Sequence, residues 1–386
     1  MMADSNRDTP AARESILTPL SILLFSRFGL MLLAYLGLAL IQVKGPVEHA
    51  IPGNLFLDGW IKWDSFWVSR IVTNGYTNKP IDDSGQRDVV NMPLYPLAVR
   101  GLGRCIGSIY IAGLLISNVS FLLAGLMLYR LVEWKWDSEL ARRTLILFCV
   151  YPFSYTFSAM YTESLFVLCA LSAFWCGEKR WWLPAAVCAA AAGATRVVGI
   201  ATVVALFIMY MQNAGWRRQN IRWDALWLLL GFAGLAAFVL FLWIQFNEPT
   251  AFITAHNAKG WGDWNSPQAL LDMFKHWGHV SYTQLESGDI APLMAVQVFV
   301  CLLGAAACII GWVRLPPAYA AWTTLVVVIS YTRWGCFGRH FATAFPAFIL
   351  AAIVLKDRRL YHGIVYLCLL LLALFTLMFT HGLWVA

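Results

Sequence analysis

The chain has 386 residues, 60% hydrophobic, 15% aromatic and 13% charged, with a net charge of +7 and a mean hydropathy of +0.65. Soluble domains carry about 25% charged residues, and here long apolar stretches recur from Ile16 to the C-terminus with no polar half. This excludes a cytosolic enzyme, a nucleic-acid binder and a disulfide-stapled secreted domain, and it implies an all-α polytopic membrane protein.

A membrane crossing takes ~20 apolar residues. Apolar runs at 16–42, 108–131, 144–157, 164–177, 181–195, 197–212, 224–246, 290–312, 317–332, 341–355 and 361–384 predict about eleven helices in one membrane-embedded domain, 1–386. The polar stretch 1–15 lacks a small-residue cleavage pattern, so the first run reads as a retained helix and not a cleaved signal. The pair 181–195 and 197–212 is also compatible with a single long, kinked helix. The Ala-rich run 185–194 predicts close helix packing. No internal repeat is visible, which argues against a transporter built from duplicated halves.

With the N-terminus inside, 15 basic residues fall in short cytoplasmic loops and 12 at outer positions, leaving Arg27 within the first helix. Cytoplasmic loops should be the basic ones, so the expected orientation is N-in, C-out. Both long loops, 43–107 and 247–289, then lie outside and would cover an active site. Seven of the nine cysteines sit in apolar stretches as small hydrophobes, and no Cys/His spacing suggests zinc.

The first outer loop contains DGWIKWDSFWVSRIVTNGYTN. On one helix Trp60, Asp64, Trp67 and Ile71 would share a face, forming an aromatic interfacial helix. Asp64 in such a setting can accept a proton from a hydroxyl, as a general base must. A plain interfacial anchor with a solvated carboxylate is equally compatible. NMPLYPLAVRGLGR (91–104) reads as an interfacial segment or as a proline-started helix.

Tyr161, Thr162 and Glu163 mark an outer turn in YPFSYTFSAMYTESLF. Glu163 is either functional, because charges at membrane depth are costly, or a first-turn complement to a helix dipole. Arg196, in GATRVVG, must find a partner. Arg333, Arg339 and His340 cluster at another turn, where guanidinium suits a lipid phosphate; ion pairing with Glu163 or Asp64 is the structural alternative. The second outer loop offers His256, Trp261 and Trp264. Tryptophan faces stack on sugars, although most of the 19 tryptophans fit an interfacial belt. His256, His276 and His279 lack the spacing of a metal site.

Together these segments resemble the PIG-V family of polyprenyl-phosphomannose-dependent mannosyltransferases. The matching features come in the family's order: Trp63–Asp64–Ser65 with Asn74–Gly75–Tyr76, then MPLYP (92–96), SAMYTESLF (158–166), TRVVGI (195–200), the NEPTAF…AHNAKGWGDW loop, and GRHFATAFP (338–346). Two positions depart from the family pattern: NMPLYP stands for FFPLYP, and Arg339–His340 for an arginine–tyrosine pair. The resemblance implies a GT-C glycosyltransferase fold and an inverting transfer of mannose from a polyprenyl-phosphate donor to a lipid-linked or glycan hydroxyl. In that reading Asp64 is catalytic, and Arg339, Arg196, Arg333 and His340 bind the donor phosphate. Trp63, Trp67, Tyr95, Tyr161, Glu163, His256, Trp261 and Trp264 bind substrate. The resemblance implies no nucleotide, no metal and no other cofactor, and as partners only the lipid-linked donor, a lipid or glycolipid acceptor and membrane lipids. The chain's length, below that of eukaryotic members, implies a bacterial cytoplasmic-membrane protein with a periplasmic site; a eukaryotic one would face the lumen of the endoplasmic reticulum. The alternative function is a polyprenyl-phosphate or lipid-linked sugar flippase, which would not need Asp64 as a base.

Overall fold

The computed structural model describes residues 15–41, 49–81, 83–258, 291–331 and 334–385. Among these residues every regular element is a helix, with no strand. The chain starts with α1 (Leu17–Leu40), then α2 (Leu55–Asp58), α3 (Asp64–Asn74) and α4 (Leu94–Ile106) of the first long loop. Next come α5 (Ile109–Lys135), α6 (Ser138–Val150), α7 (Glu163–Glu178), α8 (Trp182–Thr195) and α9 (Ile200–Asn213). A 3-10 helix at Trp223–Phe232 runs into α10 (Ala233–Phe246), and α11 (Ala251–Thr254) begins the second long loop. The remainder is α12 (Ala291–Arg314), α13 (Pro317–Tyr331), α14 (Phe337–Ala342), α15 (Phe345–Val354) and α16 (Arg358–Thr380).

Five stretches are long and apolar enough to cross a bilayer: Leu17–Leu40, Ile109–Lys135, Trp223–Phe246, Ala295–Arg314 and Arg358–Thr380. Shorter apolar helices pack among them, and the chain is a multi-pass membrane protein. Helix starts follow local chemistry. The side chains of Ser108, Asp137 and Asp357 accept from the N–H groups of Ile111, Leu140 and Leu360, capping α5, α6 and α16.

The segment 181–212 forms two helices. They are separated at Arg196, whose backbone is extended, and turned back by a 3-10 step at Val197–Gly199. A β-carbon on Gly199 would overlap the backbone of Ala192 and Gly193, so only glycine permits this turn. The Ala-rich face of α8 meets α10 backbone to backbone, and a β-carbon on Gly234 would overlap the Ala190 carbonyl.

Two sequence expectations need correction. The helix expected over 144–157 ends at Val150, because Pro152 forces Tyr151 into extended backbone (ψ 134°). The chain then runs buried and irregular to Thr162, which exposes carbonyls that lipid cannot satisfy. Arg27 of α1 supplies the missing donors: its guanidinium donates to the Cys149 and Ser154 carbonyls, both at 2.9 Å. The second correction concerns Trp60. It lies before α3 and is buried, because the helix begins only at Asp64; Trp67 and Ile71 are the aromatic and apolar members of its buried face.

All the irregular joints of the site lie at one end of the bundle. There, Glu248 ties the two long loops: it accepts from Asn78 (2.7 Å) and Thr254 (2.6 Å) and lies 3.8 Å from Arg87. A small core of Val89, Met92, Phe238, Leu242 and Phe252 packs beneath this clasp. At the other end, Lys135 pairs with Glu178 at 2.6 Å, and Tyr319 donates to the same carboxylate. Lys179 covers the Trp134 ring at 3.9 Å, and Tyr361 donates to the Arg143 carbonyl.

Candidate active site

Asp64 opens α3, and the residue before it is strained. Trp63 has φ +51°, a region that costs a non-glycine residue of order 1–3 kcal/mol. A clamp just upstream holds it. Asp58, 3% exposed, takes the Lys62 ammonium at 2.8 Å, His49 Nδ1 at 2.9 Å and the Ile51 N–H at 3.0 Å. Burial alone would raise the Asp58 carboxyl, but these partners hold it below the usual carboxylate value. Asp88, in the same loop, goes the other way. It is fully buried, Arg70 Nε is 3.6 Å from it, and burial outweighs the Thr77 N–H and that distant cation.

Three turns converge on Asp64. Arg339, on α14, is 5% exposed; its Nη1 lies 2.6 Å from Asp64 Oδ2, and its Nε donates to Glu163 Oε1 at 2.5 Å. The guanidinium carbon sits 4.2 Å from the centre of the Tyr161 ring. Arg196, at the end of α8, donates to the same Glu163 oxygen at 2.8 Å and to the Thr162 hydroxyl at 2.9 Å. Glu163 is completely buried, and its Oε2 has no partner among the described residues. A buried charge is tolerable only when paired. Here one carboxylate serves two guanidiniums, and Asp64 completes a chain of two cations and two anions.

This chain borders a cavity of about 360 Å³. Its polar wall is Asp64, Tyr161, Thr162, Arg196, Arg339 and His340. Trp67, Asn91 and Met92 from the first loop, with Phe252 and His256 from the second, form the rest of the rim. A ring nitrogen of His256 engages the Phe252 carbonyl. The two sites of departure from the family pattern, Asn91–Met92 and His340, therefore all face this cavity. Among the described residues, no group of three or more His, Cys, Asp or Glu side chains could hold a metal ion.

The structure thus brings together Asp64, Trp67, Tyr161, Arg196, His256, Arg339 and His340. It does not place three others at the cavity wall. Trp63 packs edge-on against Trp384 with centroids 5.0 Å apart, because the strained turn swings its indole outward. Tyr95 is fully buried and donates to the Gly113 carbonyl, with its oxygen 2.8 Å from Ser117, which in turn holds the Tyr161 carbonyl. It packs behind the turn and does not line the cavity. Glu163 likewise does not line the cavity; its Oε1 is held by the two arginines it binds. Arg333, Trp261 and Trp264 lie outside the described residues.

Ser330 and Thr343 line the cavity too, yet sequence reasoning does not find them. Thr343 lies within the GRHFATAFP motif but carries no charge or aromatic ring to single it out, and Ser330 sits at the end of an apolar helix. Asn91 carried a signal, since it is the polar residue in a motif otherwise apolar.

A search of curated proteins gives no match. Among solved structures, ArnT from Cupriavidus metallidurans bound to undecaprenyl phosphate aligns with a TM-score of 0.50 and 13% identity. The alignment covers 90% of this chain and 62% of that one, so the chain spans about three fifths of ArnT's length. The Archaeoglobus fulgidus oligosaccharyltransferase in complex with zinc and sulfate aligns at TM-score 0.48 and 15% identity, over 94% of this chain and 52% of that one. The likeness to ArnT is one of fold. Residues 41–284, more than half of the chain and the whole stretch from the strained Asp64 turn to the second long loop, match the model for Mannosyltransferase (PIG-V), and the chain belongs to that family.

Proposed function

We propose that this protein is an inverting glycosyltransferase that moves mannose from a polyprenyl-phosphate donor to a hydroxyl of a lipid-linked or glycan acceptor. The observation that carries this is the meeting of Asp64 with Arg339 and Arg196 at one cavity. Family membership and the loop-covered cavity at one end of the bundle support it. The donor's phosphate sits against Arg339 and Arg196, with His340 beside them, and Trp67, Tyr161 and His256 border the sugar. The acceptor oxygen attacks the anomeric carbon while its proton passes to Asp64. The bond from that carbon to the phosphate oxygen breaks, and the electron pair leaves with the polyprenyl phosphate. The two guanidiniums stabilise the charge that develops on the departing phosphate. No nucleotide or metal takes part in this scheme. The ArnT structure, with its bound undecaprenyl phosphate, supports a lipid-phosphate donor by fold analogy. The described parts of the two long loops border the cavity, and the basic bias of the opposite loops favours an extracytoplasmic site.

The test is transfer in vitro from polyprenyl-phosphomannose to a membrane lipid extract, with mass analysis of the product. Asp64→Asn keeps size and hydrogen bonding but removes basicity. Loss of a general base costs ~10²–10⁴-fold in rate, so this variant should insert and fold normally yet transfer almost nothing. Turnover within about threefold of the parent would place the base elsewhere, and lipid flipping without any transfer by the parent would favour a carrier.

A further inference from the structure

The ion-pair chain has a consequence for the order of events, and it rests on the function proposed above. In the resting structure the Asp64 carboxylate is already engaged by a cation. Its Oδ2 is 2.6 Å from Nη1 of Arg339, which is 5% exposed. If Asp64 became neutral there, the guanidinium would lose half its counter-charge while still buried, and a buried charge stripped of its partner is strongly unfavourable. Among the described residues the other anion it touches, Glu163, is already shared with Arg196.

We propose that Arg339 is a donor-operated switch on Asp64. An incoming lipid phosphate takes over the outer nitrogens of Arg339, Glu163 keeps hold of Nε as a pivot, and Asp64 is released to accept a proton only when donor is seated. Three observations fit this division. First, Nε and Nη1 of Arg339 have separate carboxylate partners, so one contact can be exchanged while the other stays. Second, the pivot is the fixed member: Glu163 is 0% exposed, whereas the Asp64 side chain is 31% exposed and lines the cavity. Third, Asp64 sits one residue after the strained Trp63 turn, in a helix start that the Asp58 clamp holds in place. The released carboxylate therefore stays at the cavity wall when Arg339 lets go.

Charge supports the same order. The two guanidiniums and two carboxylates sum to zero at rest. Protonating Asp64 leaves one uncompensated positive charge, which the phosphate offsets. The switch requires ordered binding, with donor before productive acceptor. Glu163 acts as a positioning residue, through Arg339.

The experiment reads the carboxyl of Asp64 directly. The detergent-solubilised protein is treated with a water-soluble carbodiimide and an amine, and modification is followed by peptide mass analysis. The probe is a polyprenyl phosphate lacking sugar, with inorganic phosphate as the second arm; Glu139, exposed far from the site, is the internal reference. Polyprenyl phosphate should speed modification of Asp64 at least fivefold and leave Glu139 unchanged. In Arg339→Gln, Asp64 should react fast from the outset and gain nothing from the probe; if that variant misfolds, Arg339→Lys serves, with a smaller gain than the parent. A rise with inorganic phosphate alone would show that the anion and not the lipid drives the switch. Unchanged or slower modification in parent protein that demonstrably binds the probe overturns the proposal. The outcome is separable from the functional reading. A dead Asp64→Asn with no probe effect sinks only the switch, and an active Asp64→Asn with a clear probe effect sinks only the base.

Discussion

The two ends of the helix bundle use the same residue types to different effect. At the basic end one pair is local and in contact with water, Arg142 with Glu139, both about half exposed; Arg130 pairs with Glu133 at 2.5 Å and Lys135 with Glu178 at 2.6 Å in more sheltered positions. Aromatic rings cover the lysines, as Trp134 does Lys179. At the site end, the pairs join residues far apart in sequence, Asp64 with Arg339 and Glu163 with both arginines, and Glu163 is buried completely. The difference is one of solvent. Water screens the exposed Arg142–Glu139 pair so that it contributes little, whereas the burial of Glu163 and Arg339 makes these two depend on their partners. A network of that kind is stable while intact and responds sharply when one charge is added or removed, which is what a site for an anionic donor needs.

The largest test of this contrast is sidedness. Cysteines introduced at Lys79, in the first long loop, and at Gln219, at the basic end, should label with an impermeant thiol reagent from opposite faces of the membrane, Lys79 from outside in intact cells. Labelling of Gln219 alone would put the cavity on the cytoplasmic side and remove the reading of the basic end as the inner one.

Next in size is Glu163→Gln. It leaves the buried Arg339 guanidinium and the partly buried one of Arg196 with Asp64 as the one remaining carboxylate of the network, and should cost about 3–5 kcal/mol of stability, read as a lower unfolding midpoint in detergent. A midpoint equal to the parent's would mean that water reaches the pair, and the two ends would then not differ in kind.

A smaller effect is expected from the Asp58 clamp, and its pH dependence has a definite sign. The folded carboxyl is held below its unfolded value of about 3.9. Its contribution is therefore present above about pH 4 and is lost as pH falls through the folded value. The stability gap between parent and Asp58→Asn should stay constant from pH 5 to 8 and narrow below about pH 4. A gap that closes near neutrality instead would show that the His49 contact dominates the clamp.

The smallest effect belongs to the basic end. Glu139→Gln should change stability by no more than about 0.5 kcal/mol, and added salt should erase even that. A loss above 2 kcal/mol would make this exposed pair as consequential as the buried one.

Much of the architecture was legible in the sequence because hydrophobic length and periodicity are local properties. The long apolar runs 16–42, 108–131 and 361–384 became α1, α5 and α16 with ends shifted by a few residues, and Ser108 and Asp357 are visible as caps. Membership of the PIG-V family could be read from short motifs in order. The identities of Asp64, Arg196 and Arg339 stood out because a charge amid apolar sequence has few explanations. What tertiary structure alone decided is who pairs with whom. Glu163 and Arg339 are separated by 176 positions, and no periodicity links them. Only the packing of α7 and α14 around the Tyr151–Thr162 turn brings them to hydrogen-bond distance. The same holds for Tyr95, whose motif looked like a binding element until its hydroxyl was found against Gly113, and for Arg27, whose partners are carbonyls freed by Pro152. Charge and hydrophobicity are written residue by residue, so the sequence determined which side chains must be accommodated in the membrane. Burial and distance depend on the whole fold, so the structure decided which of them became structural supports and which were left facing the cavity.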